Sequence, residues 1–162
     1  MTKIGYVTIE VAHEYVIGHF TSTDPLRLEW EQLSDKDREV LLRRSFESIE
    51  SLPFSGRKLD PSQPNAFPRW PSKEVPYAVI AAQVENAVSL CDDSATEDAA
   101  YYERLWQFGV ESYSIGNLSE SIGSGTWSGL SAGASGIVSA KAIRLLKPLL
   151  GGGYSIRGGR GR

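Results

Sequence analysis

The sequence predicts a mainly α-helical fold: a helical bundle with a small β element at about residues 110–122 and an extended C-terminal arm. Apolar residues recur at helical spacing behind recognisable caps over most of the first 92 positions. A shorter segment alternates apolar and polar residues, as β-strands do. The last twelve residues are rich in glycine and arginine and hold too few apolar groups to fold alone. We therefore divide the chain into a helical core (1–120), a Gly/Ser-rich connector (121–136), a C-terminal helix (137–150) and a basic arm (151–162).

Two short helices are predicted near the N-terminus. The first begins after Thr8, a residue type favoured at the N-cap, and runs to about Phe20. The second begins after Asp24, with Pro25 at the first helical position, where proline is favoured. The residues predicted to face inward are Val11, Tyr15 and Phe20 on the first helix and Leu26, Trp30 and Leu33 on the second.

Two longer helices follow. Ser34 opens a helix that runs to about residue 52, with Asp37 as its acidic capping partner. We predict that Leu42, Phe46 and Ile49 are buried on this helix, while Lys36, Arg43, Arg44, Glu47 and Glu50 face water. Pro76 begins the next helix, which is predicted to reach Asp92. Its predicted inward stripe consists of Ile80, Val84, Ala87, Val88 and Cys91.

The segment between these helices, residues 53–75, contains five prolines and resists regular structure. Its apolar residues predict a loop that packs across the helices, with Phe54 and Phe67 inside the subunit and Leu59 as a further anchor. Downstream, the sequence predicts another helical stretch at 97–107, one or two strands between Val110 and Leu118, and a last helix from Ile137 to Leu150 that Pro148 kinks or shortens.

Residues that carry catalysis or bind metals are sparse. His13 and His19 are six residues apart, so a helix would turn them away from each other. The single cysteine, Cys91, lies on an apolar stripe, where a small core residue is expected rather than a nucleophile. The acidic pairs at 92–93 and 97–98 are typical of solvated helix ends. The sequence contains no phosphate-binding loop and no nucleophile elbow, so we predict no enzyme, no cofactor and no metal site.

The composition, 41% hydrophobic and 23% charged, is typical of a soluble globular protein. No apolar run approaches the roughly 18–20 residues of a membrane-spanning helix, and the first residues lack the apolar region of a signal peptide. One cysteine excludes an internal disulfide, so we expect a cytoplasm in which thiols stay reduced.

The charge changes sign along the chain after Glu120, its last acidic residue. Residues 1–120 hold all 20 acids and 11 of the 17 bases, a net charge of −9. The six remaining bases follow without an acid: Lys141, Arg144, Lys147, Arg157, Arg160 and Arg162. Arginines spaced by glycine suit phosphate contact and base stacking, whereas the alternation in 154–157 could add a strand to a partner's sheet. An expendable surface tail is the third interpretation, and the residues alone leave all three open.

The middle of the chain resembles a known family. The helix 34–52, the segment SLPFSGRKLDPSQPNAFPRWP and the helix that proline begins form its pattern. The matching residues are Leu52, Phe54, Gly56, Lys58, Gln63, Phe67, Pro68, Arg69 and Pro76. The turn at Gly116 and the end RLLKPLLGGG with its short basic tail are also similar to the family. The family comprises tailed-bacteriophage proteins that are often labelled DnaT-like single-stranded-DNA-binding proteins and resemble head–tail connectors, also called adaptor or head-completion proteins. It typically has Trp-Pro-Arg where this chain has Phe67-Pro68-Arg69.

The resemblance implies a helical-bundle subunit of a dodecameric ring in the phage neck, between the portal and the tail or tail-terminator proteins. Genomic DNA would pass through the ring lumen without sequence-specific binding, with no membrane involved. The protein would be assembled in the cytoplasm of the bacterial host and become part of the virion. An acidic body and a basic end would also supply the unlike charges that neighbouring ring subunits need.

We therefore predict a non-enzymatic head–tail connector that docks to the portal through its arm. Tyr154 and Ile156 would be the apolar anchors of the arm, and Arg157, Arg160 and Arg162 would donate charge-assisted hydrogen bonds. Further contacts between subunits are predicted at Trp70, Trp127, Lys141, Arg144 and Lys147. The alternative is a single-stranded nucleic-acid-binding module that uses the same arginines.

Overall fold

The computed structural model describes residues 3–92, 112–115, 118–121 and 136–151, and this part of the chain is mainly helical, which confirms the predicted fold class. Four helices lie in the first part: α1 (Ile9–His19), α2 (Pro25–Gln32), α3 (Asp35–Glu50) and α4 (Tyr77–Ser89). After the two strands, β1 (Ser112–Ile115) and β2 (Leu118–Ser121), come α5 (Ala140–Leu146) and a 3-10 turn (Lys147–Leu149). The predicted helical stretch 97–107, Trp127 and residues 152–162 of the arm lie outside the described residues.

The first three helices begin at the predicted caps. The Thr8 hydroxyl accepts a hydrogen bond from the Val11 amide, and an Asp24 carboxylate oxygen accepts one from the Leu26 amide at 2.9 Å. Ser34 accepts from the Asp37 amide at 3.2 Å and donates to the Asp37 carboxylate at 2.6 Å. These bonds satisfy backbone donors that the first turn of a helix leaves without an intrahelical partner.

Helix α4 is the centre of the fold, since α1, α2, α3 and α5 all contact it. Nine of its residues are buried: Val79, Ala81, Ala82, Gln83, Val84, Glu85, Asn86, Ala87 and Val88. It contributes to both apolar cores. Val84 and Val88 pack into the first with Trp30, and Val79 packs into the second with Phe67.

The structure corrects several details of the predicted helices. Val11 is 46% exposed, because α1 packs through Ala12, Tyr15 and Val16 instead. Glu50 is half-buried rather than in water, since its carboxylate accepts hydrogen bonds from the Tyr6 hydroxyl and the Ala66 amide.

The last helix begins at Ala140 rather than Ile137. Ile137 is fully buried but lies outside the helix, and Ser139 caps the helix by accepting from the Ala142 amide at 3.2 Å. Pro148 lies in the 3-10 turn that follows α5, as expected for a residue that cannot continue an α-helix. Helix α4, in turn, ends at Ser89, three residues before the predicted end at Asp92.

The strands β1 and β2 pair antiparallel, with Tyr113 opposite Glu120 and Ile115 opposite Leu118. They lie in the segment for which the alternation of the sequence predicts strands.

Candidate functional site

A row of buried polar residues on α4 positions the rest of the molecule. Gln83 donates to the carbonyls of Ile4 at 2.9 Å and Leu42 at 3.0 Å, and its side-chain oxygen accepts from the Tyr6 amide at 3.0 Å. Gly5 makes the turn that presents this amide: its φ is +64°, and a Cβ there would meet the Phe46 ring. One amide side chain therefore joins the N-terminal segment, α3 and α4.

The second polar residue of the row is Glu85, whose side chain is 5% exposed. It accepts hydrogen bonds from the Tyr15 hydroxyl at 2.7 Å and the Lys141 ammonium at 2.5 Å, so it joins α1, α4 and α5. Burial, together with the hydrogen bond to Glu85, raises the pKa of the Tyr15 phenol above its ordinary value. The ammonium of Lys141 also lies over the rings of Tyr15 and Phe20, at 5.9 and 5.8 Å from their centres.

The third polar residue, Asn86, fixes the chain just before α5. Its side-chain oxygen accepts from the amides of Val138 at 2.8 Å and Ser139 at 3.3 Å, and its side-chain nitrogen donates to the Gly136 carbonyl at 3.4 Å. Because buried polar groups are costly to leave unpaired, these bonds specify where the C-terminal helix begins.

The chain leaves α5 and pairs with the start of the proline-rich loop. The Ser55 amide donates to the Leu149 carbonyl at 2.9 Å, and the Gly151 amide donates to the Pro53 carbonyl at 2.7 Å. Phe54 and Leu150 form the bridge between them. A Cβ at Gly151 would lie 3.2 Å from the backbone of Ser55, closer than most real contacts. We call residues 53–55 and 149–151 the arm root, because the basic arm continues from Gly151.

Arg69 organises the loop side of the arm root. Its guanidinium donates to four backbone carbonyls: those of Phe54 at 3.2 Å, Ser55 at 2.7 Å, Gly56 at 2.5 Å and Ala66 at 3.2 Å. Three of these carbonyls are consecutive, so the guanidinium fork holds the path of the loop where it meets the C-terminal segment.

Next to the arm root, the loop folds back on itself and presents an exposed tryptophan. The Trp70 amide donates to the Arg57 carbonyl at 3.0 Å, and the Leu59 amide donates to the Pro68 carbonyl at 3.1 Å. Trp70 is 58% exposed, and the Arg57 guanidinium lies 5.2 Å from the centre of its ring. A cation over a solvent-facing indole is an arrangement that can bind a planar or anionic group from a partner.

The structure separates the predicted contact residues. Trp70 is exposed on the loop, and Arg144 and Lys147 are exposed at the C-terminal end of the described chain. Lys141 binds Glu85 of the same chain, although its side chain remains 45% exposed. Trp127 and the five predicted arm residues, Tyr154, Ile156, Arg157, Arg160 and Arg162, lie outside the described residues.

Sequence reasoning missed Gln83, Glu85, Asn86 and the carbonyl contacts of Arg69. A signal for the first three was present, since the run QVEN interrupts an otherwise apolar helix. Polar residues in such a position are expected to be hydrogen-bonded in the core. The sequence held no comparable signal for the contacts of Arg69, because every residue type has the backbone carbonyl that an arginine can bind.

Few side chains in the described part of the chain could bind a metal ion or act as a nucleophile. It contains no group of three or more His, Cys, Asp or Glu side chains that could hold a metal ion. Burial raises the pKa of the Cys91 thiol to about 12, so the thiolate is scarce at neutral pH. None of its helices has the length and apolar character needed to cross a membrane.

The fold and the site define a mainly helical protein whose C-terminal segment is fastened to a proline-rich loop before the chain continues into a glycine- and arginine-rich end. The model of the family described as "Putative DnaT-like ssDNA binding protein" matches residues 5–161, and the chain belongs to this family. No curated protein and no solved structure matches the chain.

Proposed function

We propose that the protein is a structural head–tail connector of a tailed phage, which forms a ring between portal and tail and docks to the portal through its C-terminal arm. The observation that carries this proposal is the arm root. Two backbone hydrogen bonds, from Ser55 to Leu149 and from Gly151 to Pro53, fix the position of Gly151, the residue from which the arm continues. A fixed starting point suits an arm that must reach one place on a neighbouring protein, because less conformational entropy is lost on binding.

The use of basic residues in the body supports a protein partner over a nucleic acid. Among the described residues, at least six basic side chains are engaged by groups of the same chain: Arg27, Arg38, Arg43, Lys58, Arg69 and Lys141. Residues 1–120 carry a net charge of −9, which would weaken the grip of a ring lumen on DNA phosphates. A lumen lined by arginine and lysine in the assembled ring would contradict this part of the proposal.

The salt dependence of binding tests the connector proposal. We expect the full chain to bind the purified portal ring and to lose affinity less steeply than DNA binding would between about 50 mM and about 200 mM salt, since Tyr154 and Ile156 would supply apolar contacts beside the charged ones. Binding of single-stranded DNA through three arginines would instead fall by about 20-fold over that range. Affinities for the portal and for a labelled oligothymidine, measured side by side at each salt concentration, distinguish portal docking from single-stranded DNA binding. Tight oligothymidine binding with the steep slope, and none to the portal, would contradict the proposal.

The family description and one observation favour single-stranded DNA binding as a second candidate function. The Arg57–Trp70 pair offers an exposed indole on which a base can stack and a cation for the adjacent phosphate. If this function is correct, Trp70→Ala should weaken oligothymidine binding by about tenfold, as measured by fluorescence anisotropy. Tyr77→Ala is the matched control, because Tyr77 is an aromatic residue of similar exposure, 63%, at the start of α4. Equal effects of the two substitutions would show that no stacking site exists at Trp70.

A further inference from the structure

We infer that Arg69 is the positioning residue for the C-terminal arm: by binding the loop carbonyls at the arm root, it helps to fix the place from which the arm continues toward its partner. The inference rests on the proposed function, because it assigns a role in partner binding. It assigns no contact with the partner to Arg69 itself.

Phe54 and Ser55 link Arg69 to the C-terminal segment. Arg69 holds the carbonyls of Phe54 and Ser55, while the amide and hydroxyl of Ser55 both donate to the Leu149 carbonyl, at 2.9 and 3.0 Å. Phe54 and Ser55 therefore accept hydrogen bonds from Arg69 through their carbonyls, and Ser55 donates hydrogen bonds to the C-terminal segment. Without Arg69, the carbonyls of Phe54 and Ser55 would no longer be held, and we expect the Ser55 amide and hydroxyl to be less well oriented toward the Leu149 carbonyl.

The Phe54 ring packs against Phe67, with ring centres 4.6 Å apart, but the backbone on either side of Phe54 lies at the surface. Pro53 and Ser55 are exposed, and Gly56 has a φ of +74°, a conformation in which only the backbone Trp70 carbonyl lies within 4 Å of a Cβ position. Packing therefore anchors the Phe54 side chain, whereas the hydrogen bonds of Arg69 hold the carbonyls of residues 54–56. Only a guanidinium offers five donors in one plane, so lysine could reach some of these carbonyls but not all four.

Arg38 provides a matched control within the same chain. It is also half-buried and also caps backbone carbonyls, those of Trp30 at 3.1 Å and Glu31 at 3.0 Å, at the end of α2. Neither Trp30 nor Glu31 belongs to the arm root. A substitution at Arg38 thus removes the same kind of carbonyl contact, together with an ion pair to Asp35, and leaves the arm root intact.

The experiment compares Arg69→Gln, Arg69→Lys and Arg38→Gln in the full chain. We expect Arg69→Gln to weaken binding to the purified portal by about tenfold and to speed hydrogen exchange at the amides of Ser55 and Gly151. Arg69→Lys should restore only part of both properties. Arg38→Gln should leave portal affinity within about twofold and leave those two amides unchanged, even where it lowers Tm equally.

Two results would overturn the inference: equal losses of portal affinity for Arg69→Gln and Arg38→Gln at equal loss of Tm, or unchanged exchange at Ser55 and Gly151 in Arg69→Gln. If Arg69→Gln does not fold, Ser55→Ala replaces it, because it removes one of the two bonds to Leu149. Ser55→Ala should then weaken portal binding about threefold with little change in Tm, and an unchanged affinity would overturn the inference. Absence of portal binding by the unaltered chain would instead contradict the proposed function, and amide exchange alone would then decide whether Arg69 positions the arm root.

Discussion

Replacing Gln83 with leucine is expected to lower the free energy of unfolding by about 3 kcal/mol, which corresponds to a fall in Tm of about 9 °C. The side chain is fully buried and makes three hydrogen bonds to backbone groups. Leucine has a similar size and would fill the space, so the loss comes from the unpaired polar groups. The Tyr6 amide is the costliest of these, because its donor would be left buried with no acceptor.

The matched control is Gln32→Leu. Gln32 is an exposed residue at the last position of α2, so the same chemical change there should alter stability by no more than about 0.5 kcal/mol. Urea unfolding followed by circular dichroism measures both variants. Equal stabilities for Gln83→Leu and the unaltered chain would show that Gln83 does not hold the N-terminal segment on α4.

Ending the chain at Gly151 is expected to weaken portal binding by about 100-fold or more, with Tm unchanged within about 2 °C. The truncation removes Tyr154, Ile156 and the three terminal arginines but keeps the Gly151 amide that donates to Pro53. The body therefore keeps every described contact of the arm root. Isothermal titration calorimetry against the purified portal and a thermal melt of the truncated chain provide the two readouts.

Two substituted chains separate the contributions within the arm. Replacing Arg157, Arg160 and Arg162 with lysine keeps the charge but removes the planar fork, so partial binding is expected if the arginines make paired hydrogen bonds. Replacing Tyr154 and Ile156 with alanine should cost more, because these are the apolar anchors. Full portal affinity in the chain that ends at Gly151 would contradict a docking role for the arm.

The elements whose signals are local could be predicted from the sequence. Thr8, Asp24 and Ser34 cap their helices because a short polar side chain before an apolar stripe is enough to satisfy the first amides. Pro148 limits the last helix for an equally local reason, its missing amide hydrogen. The fold class follows from these signals, since helices of this length with apolar stripes must pack against one another.

The features that depend on distant residues could not be predicted. Glu50 has the spacing of a surface residue, and its hydrogen-bond partners, Tyr6 and Ala66, lie 44 positions before it and 16 positions after it. Ser55 and Leu149 are 94 positions apart, and neither residue type indicates the other. The arm root and its clamp at Arg69 therefore emerge only from the folded chain, whereas the basic arm itself is evident in the charge pattern.

The oligomeric state of the protein with and without the portal tests most directly whether it is a ring-forming connector. Native mass spectrometry of the full chain mixed with purified portal rings should detect a complex in which many copies, twelve if the ring is dodecameric, are bound to one portal ring. A chain that stays monomeric beside the portal ring, yet binds oligothymidine, would contradict the claim and support single-stranded DNA binding instead.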